Sequence, residues 1–238
     1  MAEQPSCVDP KLSRQEISDD VTPLGWRYNL GLIRTSIEVG SLAQAAEVAR
    51  AVTALAGDSA DGSLSADLRP DRVILTLQSR AEAWVTDREI ELAERISAAA
   101  ADQGLATESG VGAGAPRSVQ VVEIAIDALD IAAIRPFWKA VMGYDDEPGG
   151  DPGPGAGLAD PLAQCPSIWF QQMDEPRPQR NRIHLDVVVP HDEVDSRMQA
   201  ALAAGGTLVY DAEAPAFWVL ADPEGNEACL CTWQGRDH

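Results

Sequence analysis

Two stretches in the second half of this chain repeat one order of elements. Glu123-Ile-Ala-Ile126 is a short apolar run, followed by helical periodicity over Ala133–Met142 that stops at Gly143. His184-Leu-Asp-Val187 is a second such run, followed by helical periodicity over Asp192–Ala204 that stops at Gly205-Gly206. Strand-like segments close each unit: Ser167–Met173 in the first, and Leu208–Tyr210, Phe217–Leu220 and Glu227–Trp233 in the second. Two βαβββ units of this size, paired about a pseudo-twofold, close one sheet around a hollow and bring equivalent positions to its middle. The turn Asp222-Pro-Glu-Gly-Asn226 leads into the last strand. Pro223 sets its own φ there, and Gly225 supplies the positive φ that closes the bend.

The first half reads differently. Residues 1–10 read as disordered. Ser13 and Glu16 form a capping box that opens a helix. Gly25–Val39 reads as two strands, with Gly31 as a bulge or kink between them. Ser41, with Gln44 as its box partner, caps a helix whose apolar face is Leu42, Ala45, Ala49, Val52 and Leu55, and Gly57 stops it. Gly57–Pro70 is polar and turn-rich. In Arg72–Gln78, Val73, Leu75 and Leu77 point one way, as in a half-buried strand. Thr86 and Glu89 cap a further helix with Ile90, Ala93 and Ile96 or Ser97 facing inward. The most linker-like stretch is 107–116, which divides the chain into domains at 11–106 and 117–235. In the second domain Pro136 belongs in the first turn of its helix, because deeper it breaks the hydrogen-bond ladder. Asp145–Pro161, rich in glycine and proline, reads as a mobile loop. The expected fold class is α+β in both halves.

Composition narrows the function. The chain has 238 residues, 45% hydrophobic and 24% charged, with a formal net charge of −20. That charge disfavours nucleic acid and anionic membrane surfaces, which bind through Lys and Arg patches. No apolar run approaches the ~20 residues of a membrane-spanning helix. Cys7, Cys165, Cys229 and Cys231 fit no CxxC spacing, and are read as reduced in a cytoplasmic protein. There is no P-loop, no GxSxG elbow, and no GxGxxG after a strand; Gly110–Gly114 follows a helix, the wrong context for phosphate. His184 has two readings on an apolar strand: a hydrogen-bonded residue held by Asp186, or a ligand. Trp138, Trp169, Trp218 and Phe217 either line the hollow and stack on an aromatic ligand or form the core of the cup.

The second half resembles the vicinal-oxygen-chelate superfamily, the fold of glyoxalase I, bleomycin-resistance proteins and extradiol dioxygenases. The nearer likeness is to the glyoxalase-like domain of actinobacterial sequences. It is carried by Phe137-Trp138 with Gly143-Tyr144, Trp169-Phe170-Gln171, Arg182-Ile-His-Leu-Asp186, Ala203-Ala-Gly-Gly206 and Trp218-Val-Leu-Ala-Asp-Pro-Glu-Gly-Asn-Glu227. The resemblance implies a paired βαβββ fold and a small-molecule ligand. It implies a metal site fed by the first and last strands of each unit, which fall here at Glu123, Gln171, His184 and Cys229. Glu123, His184 and Cys229 suit one divalent metal, zinc best. Glu227, two residues before Cys229 on the same face, is an alternative oxygen ligand. Glu227 or Gln171 would assist proton transfer. The function this resemblance implies is a glyoxalase-like small-molecule enzyme of lyase or isomerase type, metal-assisted; the alternative is a metal-free binding or sequestering module of the bleomycin-resistance type.

Residues ~11–104 resemble pterin-4a-carbinolamine dehydratase, an antiparallel sheet with helices on one face. The likeness lies in Trp26, the helix Leu42–Ala56, Val73-Ile-Leu-Thr-Leu-Gln-Ser79 and Val85-Thr86. That family's proton-moving histidines follow the long helix and end the later strand. Here those places read Gly57–Pro70 and Ser79-Arg80, and residues 1–183 contain no histidine. Arginine cannot take up a proton near neutral pH. The expectation is a retained fold without dehydration, serving assembly or ligand binding; a residual pterin dehydratase is the third reading of function. Both families imply a homodimer.

Overall fold

The computed structural model describes residues 12–110, 119–148, 153–176 and 183–235. The expected disordered start, residues 1–10, and most of the expected linker lie outside them. The chain divides into two compact units, Met1–Val121 and Val122–His238.

The first unit opens with α1 (Arg14–Val21), β1 (Arg27–Asn29), β2 (Leu32–Glu38) and α2 (Leu42–Ala56). The short helix α3 (Ala60–Ser63) leads into β3 (Leu64–Leu68) and β4 (Arg72–Leu77); α4 (Asp87–Asp102) and β5 (Thr107–Glu108) close the unit. The antiparallel sheet runs β1-β2-β4-β3, with β5 also on β2. The capping arguments locate the helix starts. Ser13 and Glu16 bond reciprocally, and Ser41 Oγ accepts from the Gln44 amide at 3.2 Å. The Gln44 side chain departs from the box and accepts from the Gly40 amide instead. Glu89 is buried, taking the Thr86 amide and hydroxyl at 2.8 and 2.6 Å and the Ser63 hydroxyl at 2.5 Å. Val73, Leu75 and Leu77 alternate inward onto Ile33, Ile37, Val48, Val52 and Ile96.

Four expectations need correction here. The inward face of α2 is Ala45, Val48, Val52 and Ala56, and Leu42 is 53% exposed. Leu42 is the first residue of the helix, and the buried positions follow the spacing Ala45, Val48, Val52 and Ala56. The polar stretch after α2 contains β3, a strand whose residues Ser65–Leu68 are all exposed, so hydrophobic alternation gives no sign of it. Leu30 and Gly31 both have positive φ and form the two-residue turn of a tight hairpin rather than a bulge. Thr107 and Glu108 pair with Ile37 and Ser36 and so belong to the first unit's sheet.

The second unit contains β6 (Glu123–Ala128), α5 (Ile131–Met142), β7 (Asp145–Asp146), β8 (Leu158–Ala159) and β9 (Ser167–Gln172). It then repeats with β10 (Leu185–Val188), α6 (Val194–Ala203), β11 (Thr207–Tyr210), β12 (Phe217–Ala221) and β13 (Glu227–Cys231). The sheet orders match: β6-β9-β8-β7 and β10-β13-β12-β11, each with its first strand parallel to its last. This is the doubled βαβββ arrangement. Ile126, Phe170, Leu220, Ala228 and Leu230 meet Ile134, Phe137, Trp138 and Val141 of α5 in one core. Pro136 is not in the first turn of α5 but at its sixth residue, past Asp130, whose side chain caps the Ala133 amide. The helix tolerates it there at the loss of one backbone donor. The expected loop over 145–161 carries the short strands β7 and β8.

The two repeats are clasped by one turn. Asp222 is 2% exposed. Its carboxylate accepts from the Glu224 and Asn226 amides at 2.9 Å, the Asn226 side chain at 2.8 Å and Trp138 Nε1 at 2.9 Å. Glu224 reaches back to α5 and accepts from the Leu129 and Asp130 amides. Replacing Asp222 by Ala leaves buried donors unpaired, and is expected to destabilise the second unit by on the order of 3 kcal/mol. Urea unfolding followed by tryptophan fluorescence measures this; a loss under ~1 kcal/mol would show that the clasp is dispensable.

Candidate functional site

Strand parity sorts the candidate residues. On β6, Ile124, Ile126 and Ala128 enter the core, so Glu123, Ala125 and Asp127 share the opposite, open face. On β9 the open face carries Ser167, Trp169 and Gln171; on β10 it carries Asp186 and Val188, continuing the side of His184. On β13 it carries Glu227, Cys229 and Cys231, because Ala228 and Leu230 are in the core. The register sets Asp186 directly beside Cys229.

His184, Asp186 and Cys229 therefore converge. One donor atom from each lies within 4.8 Å of the others. His184 Nε2 is 3.3 Å from Asp186 Oδ1, with side chains 52% and 59% exposed, while Cys229 is 7% exposed. Burial pushes the Cys229 thiol up to about 11; the Asp186 carboxylate, which the thiol also hydrogen-bonds, adds to the effect, as do Cys231 and Glu227. At neutral pH this is a protonated thiol facing a carboxylate.

Beside the cluster opens a cavity of about 870 Å³. Ile124, Ile126, Trp138, Met173, Ile183 and Leu185 give it apolar walls, and Asp127, His184, Asn226 and Glu227 supply polar groups. His184 belongs to both the cavity and the donor cluster. The volume falls in the range of small-molecule sites, about 300–1,000 Å³.

The other named residues separate. Glu123 lies on the open face of β6, where it accepts from Ser167 Oγ at 3.2 Å. Burial raises the neighbouring Glu147 carboxyl, and the Glu123 charge adds to the effect. Glu123 is not in the three-residue donor group, whose carboxylate is Asp186. Gln171 is exposed on β9 and outside the cavity lining. Trp138 is both cavity wall and core, its indole N–H spent on Asp222. Trp218 packs on the core side of β12, while Phe217 points to the open face and stacks on Tyr210 with centroids 6.1 Å apart. Trp169 is 42% exposed on the open face of β9. Asp186 was readable only as a support for His184; its place as a third donor depends on the β10–β13 register, which sequence spacing does not state.

Residues 123–231 match the family model of the glyoxalase-like domain. The match spans just under half of the chain and coincides with the doubled βαβββ repeat. Among solved structures, the chain is similar to a glyoxalase/bleomycin resistance protein/dioxygenase family enzyme from Burkholderia phytofirmans PsJN. The identity is 24%, covering 46% of this chain and 95% of that one, at a TM-score of 0.38. It is similar to the fosfomycin resistance protein FosX from Mesorhizobium loti at 10% identity, covering 49% and 93%, TM-score 0.38. It is similar to a transcriptional coactivator/pterin dehydratase from Brucella melitensis at 22% identity, covering 37% and 97%, TM-score 0.34. No curated protein matches the chain. Among the described residues, no helix is long and apolar enough to cross a membrane.

The thiol environment in the second unit makes a measurable prediction. Cys165 is exposed, whereas Cys229 is buried with its thiol held protonated. Iodoacetamide at pH 7.5, read by peptide mass mapping, should label Cys165 first and Cys229 at least ~100-fold more slowly. Comparable rates at the two would show that Cys229 is neither shielded nor protonated.

Proposed function

We propose that the glyoxalase-like domain binds a small molecule in its cavity and acts on it as a lyase or isomerase assisted by one divalent metal. The observation that supports this most is the double membership of His184, which lines the cavity and stands in the donor cluster. Imidazole, carboxylate and thiolate are a donor set that suits zinc, and their mutual distances let one ion reach all three. We assign the metal to His184, Asp186 and Cys229, with Asp186 in the role expected of Glu123. A metal there would polarise a ligand oxygen and stabilise negative charge on it. The chain's own residues divide the remaining work. Ile124, Ile126 and Trp138 exclude water from one end of the ligand. Glu227, on the cavity wall and on the face of Cys229, is placed to hold or move a proton.

Zinc titration by competition with a chromophoric chelator is the test. One zinc per chain is expected, lost in His184→Ala, Asp186→Ala or Cys229→Ala and kept in Glu123→Ala. Binding must displace the Cys229 proton, whose pKa of about 11 lies above the assay range. Affinity should therefore rise with pH, by up to about tenfold per unit between pH 6 and 9. Retention of zinc by Cys229→Ala, or a flat pH profile, would remove the thiol from the ligand set.

The second reading is a metal-free binding module. The observation in its favour is that the three residues already contact one another: His184 Nε2 lies 3.3 Å from Asp186 Oδ1, and the Cys229 thiol hydrogen-bonds Asp186. Stoichiometric ligand uptake by Asp186→Ala, which cannot complete the metal set, would select it.

For the first unit we propose a dehydratase-like fold without dehydration chemistry. Its support is the chain at the two histidine places, Gly57–Pro70 and Ser79-Arg80, with Arg80 exposed. The full chain should not accelerate dehydration of a pterin 4a-carbinolamine above the buffer rate in a stopped-flow absorbance assay. Clear turnover would mean that a carboxylate replaces the missing imidazoles.

A further inference from the structure

We propose that the first unit binds a phosphate group on the face of its sheet that turns away from the core, in a row of donors made by Arg27, Arg34, Thr76 and Ser65. Their chain neighbours Trp26, Ile33, Leu75 and Leu64 all belong to the core or pack on it. Strand parity therefore sends the four polar residues to the opposite face. The register then draws them into one line. Arg27 is opposite Arg34, Arg34 opposite Thr76, and Thr76 opposite Ser65. Two guanidiniums and two hydroxyls thus cross β1, β2, β4 and β3 side by side.

Like charges directly opposite each other weaken a sheet. Acid to offset them is plentiful, with 38 Asp and Glu against 18 Lys and Arg in the chain. Arg69, Arg72, Arg135, Lys139 and Arg197 each pair with a carboxylate. Among the described residues, Arg27 and Arg34 do not. Arg27 gives Nη1 to the Thr22 and Trp26 carbonyls. Arg34 gives Nε to Thr76 Oγ1 at 2.9 Å and Nη1 to the Gln120 carbonyl at 3.0 Å. Every one of these acceptors is neutral. The acids of the same face stand elsewhere: Glu108 opposite Ser36, Glu38 opposite Arg72, and Asp67 bonded to Arg69. Arg34 is half-buried, and burial alone holds its pKa below the ordinary arginine value. A cation stripped of water and given no counter-charge favours an anion beside it. Two fixed charges match a dianion, whereas a lone carboxylate would leave one guanidinium unbalanced. Planar N–H forks flanked by hydroxyls suit the several oxygens of a phosphate. Thr76 Oγ1 accepts from Arg34 and so keeps its O–H for such a ligand. The net charge of −20 selects a small anion over a polyanion.

Equilibrium dialysis of the full-length chain against radiolabelled inorganic phosphate at pH 7.5 and low salt is the test. Saturable retention of one phosphate per chain is expected. Sulfate, also a dianion, should compete, and acetate should compete at least ~tenfold more weakly. Arg34→Gln and Arg27→Gln should each weaken retention at least ~tenfold, the loss of a charge-assisted hydrogen bond. Arg72→Gln, on the same face but outside the row, should leave it unchanged. Arg34 also holds Thr76 and the Gln120 carbonyl, so its variant is read together with Arg27→Gln. As a second measure, phosphate should raise the thermal unfolding midpoint of the native chain and not that of Arg27→Gln. Absence of saturable retention, or retention that survives both arginine variants, overturns the proposal. An equal loss in Arg72→Gln overturns it too, because the face would then attract anions only through its summed charge. Acetate competing as well as sulfate would make the ligand a carboxylate and overturn the phosphate assignment.

Discussion

The second unit depends on a single buried carboxylate. Asp222 is surrounded by donors: two backbone amides and one side-chain amide from its own turn, and the indole N–H of Trp138 from the first repeat. An ionised carboxylate can be buried without large penalty only when its oxygens are so occupied. The consequence is mechanical. The β12–β13 turn is locked in shape and fixed to α5 at mid-helix, and Glu224 fixes it again at the helix start. Trp138 and residues 224–227, which face the same cavity, are thereby walls of one rigid frame.

Close packing of the helices completes that frame. Gly206 stands where a Cβ would run into the Phe137 ring, and Gly143, at positive φ, lies under the Arg197 guanidinium. Arg197 donates to the Val141 carbonyl and so covers the C-terminus of α5 from α6. The two glycines that follow the helices thus do different work: one admits a cation at a helix end, the other admits a ring from the facing repeat. Sequence symmetry between the repeats does not carry over into chemical symmetry.

The same break in symmetry explains what the sequence could and could not disclose. Helix starts were legible because capping is local: Ser13, Ser41, Thr86 and Glu89 act within four residues of themselves. Strand faces were legible where one side is buried, as in Val73, Leu75 and Leu77. β3 was not, since its exposure leaves no alternation to read, and the inward face of α2 was shifted by tertiary packing rather than by its own pattern. In the site, His184 and Cys229 stood out by type and place. Asp186 did not, because its role follows from a ladder register that pairs it with Cys229 across more than forty residues of chain. Repeat equivalence pointed instead to Glu123, whose carboxylate the parallel β6–β9 register places against Ser167.

The register has a further chemical effect. It sets the exposed Asp186 carboxylate against the buried Cys229 thiol, and the thiol's burial, with the carboxylate beside it, keeps the proton on sulfur. Asp186 then has two neighbours, the Cys229 thiol and the His184 imidazole. The sulfur is the buried member of the cluster, and the imidazole and carboxylate are the exposed pair. Of the three, the cavity is lined by His184. Among the described residues β10 has one strand neighbour, β13, whose register holds Asp186 beside Cys229.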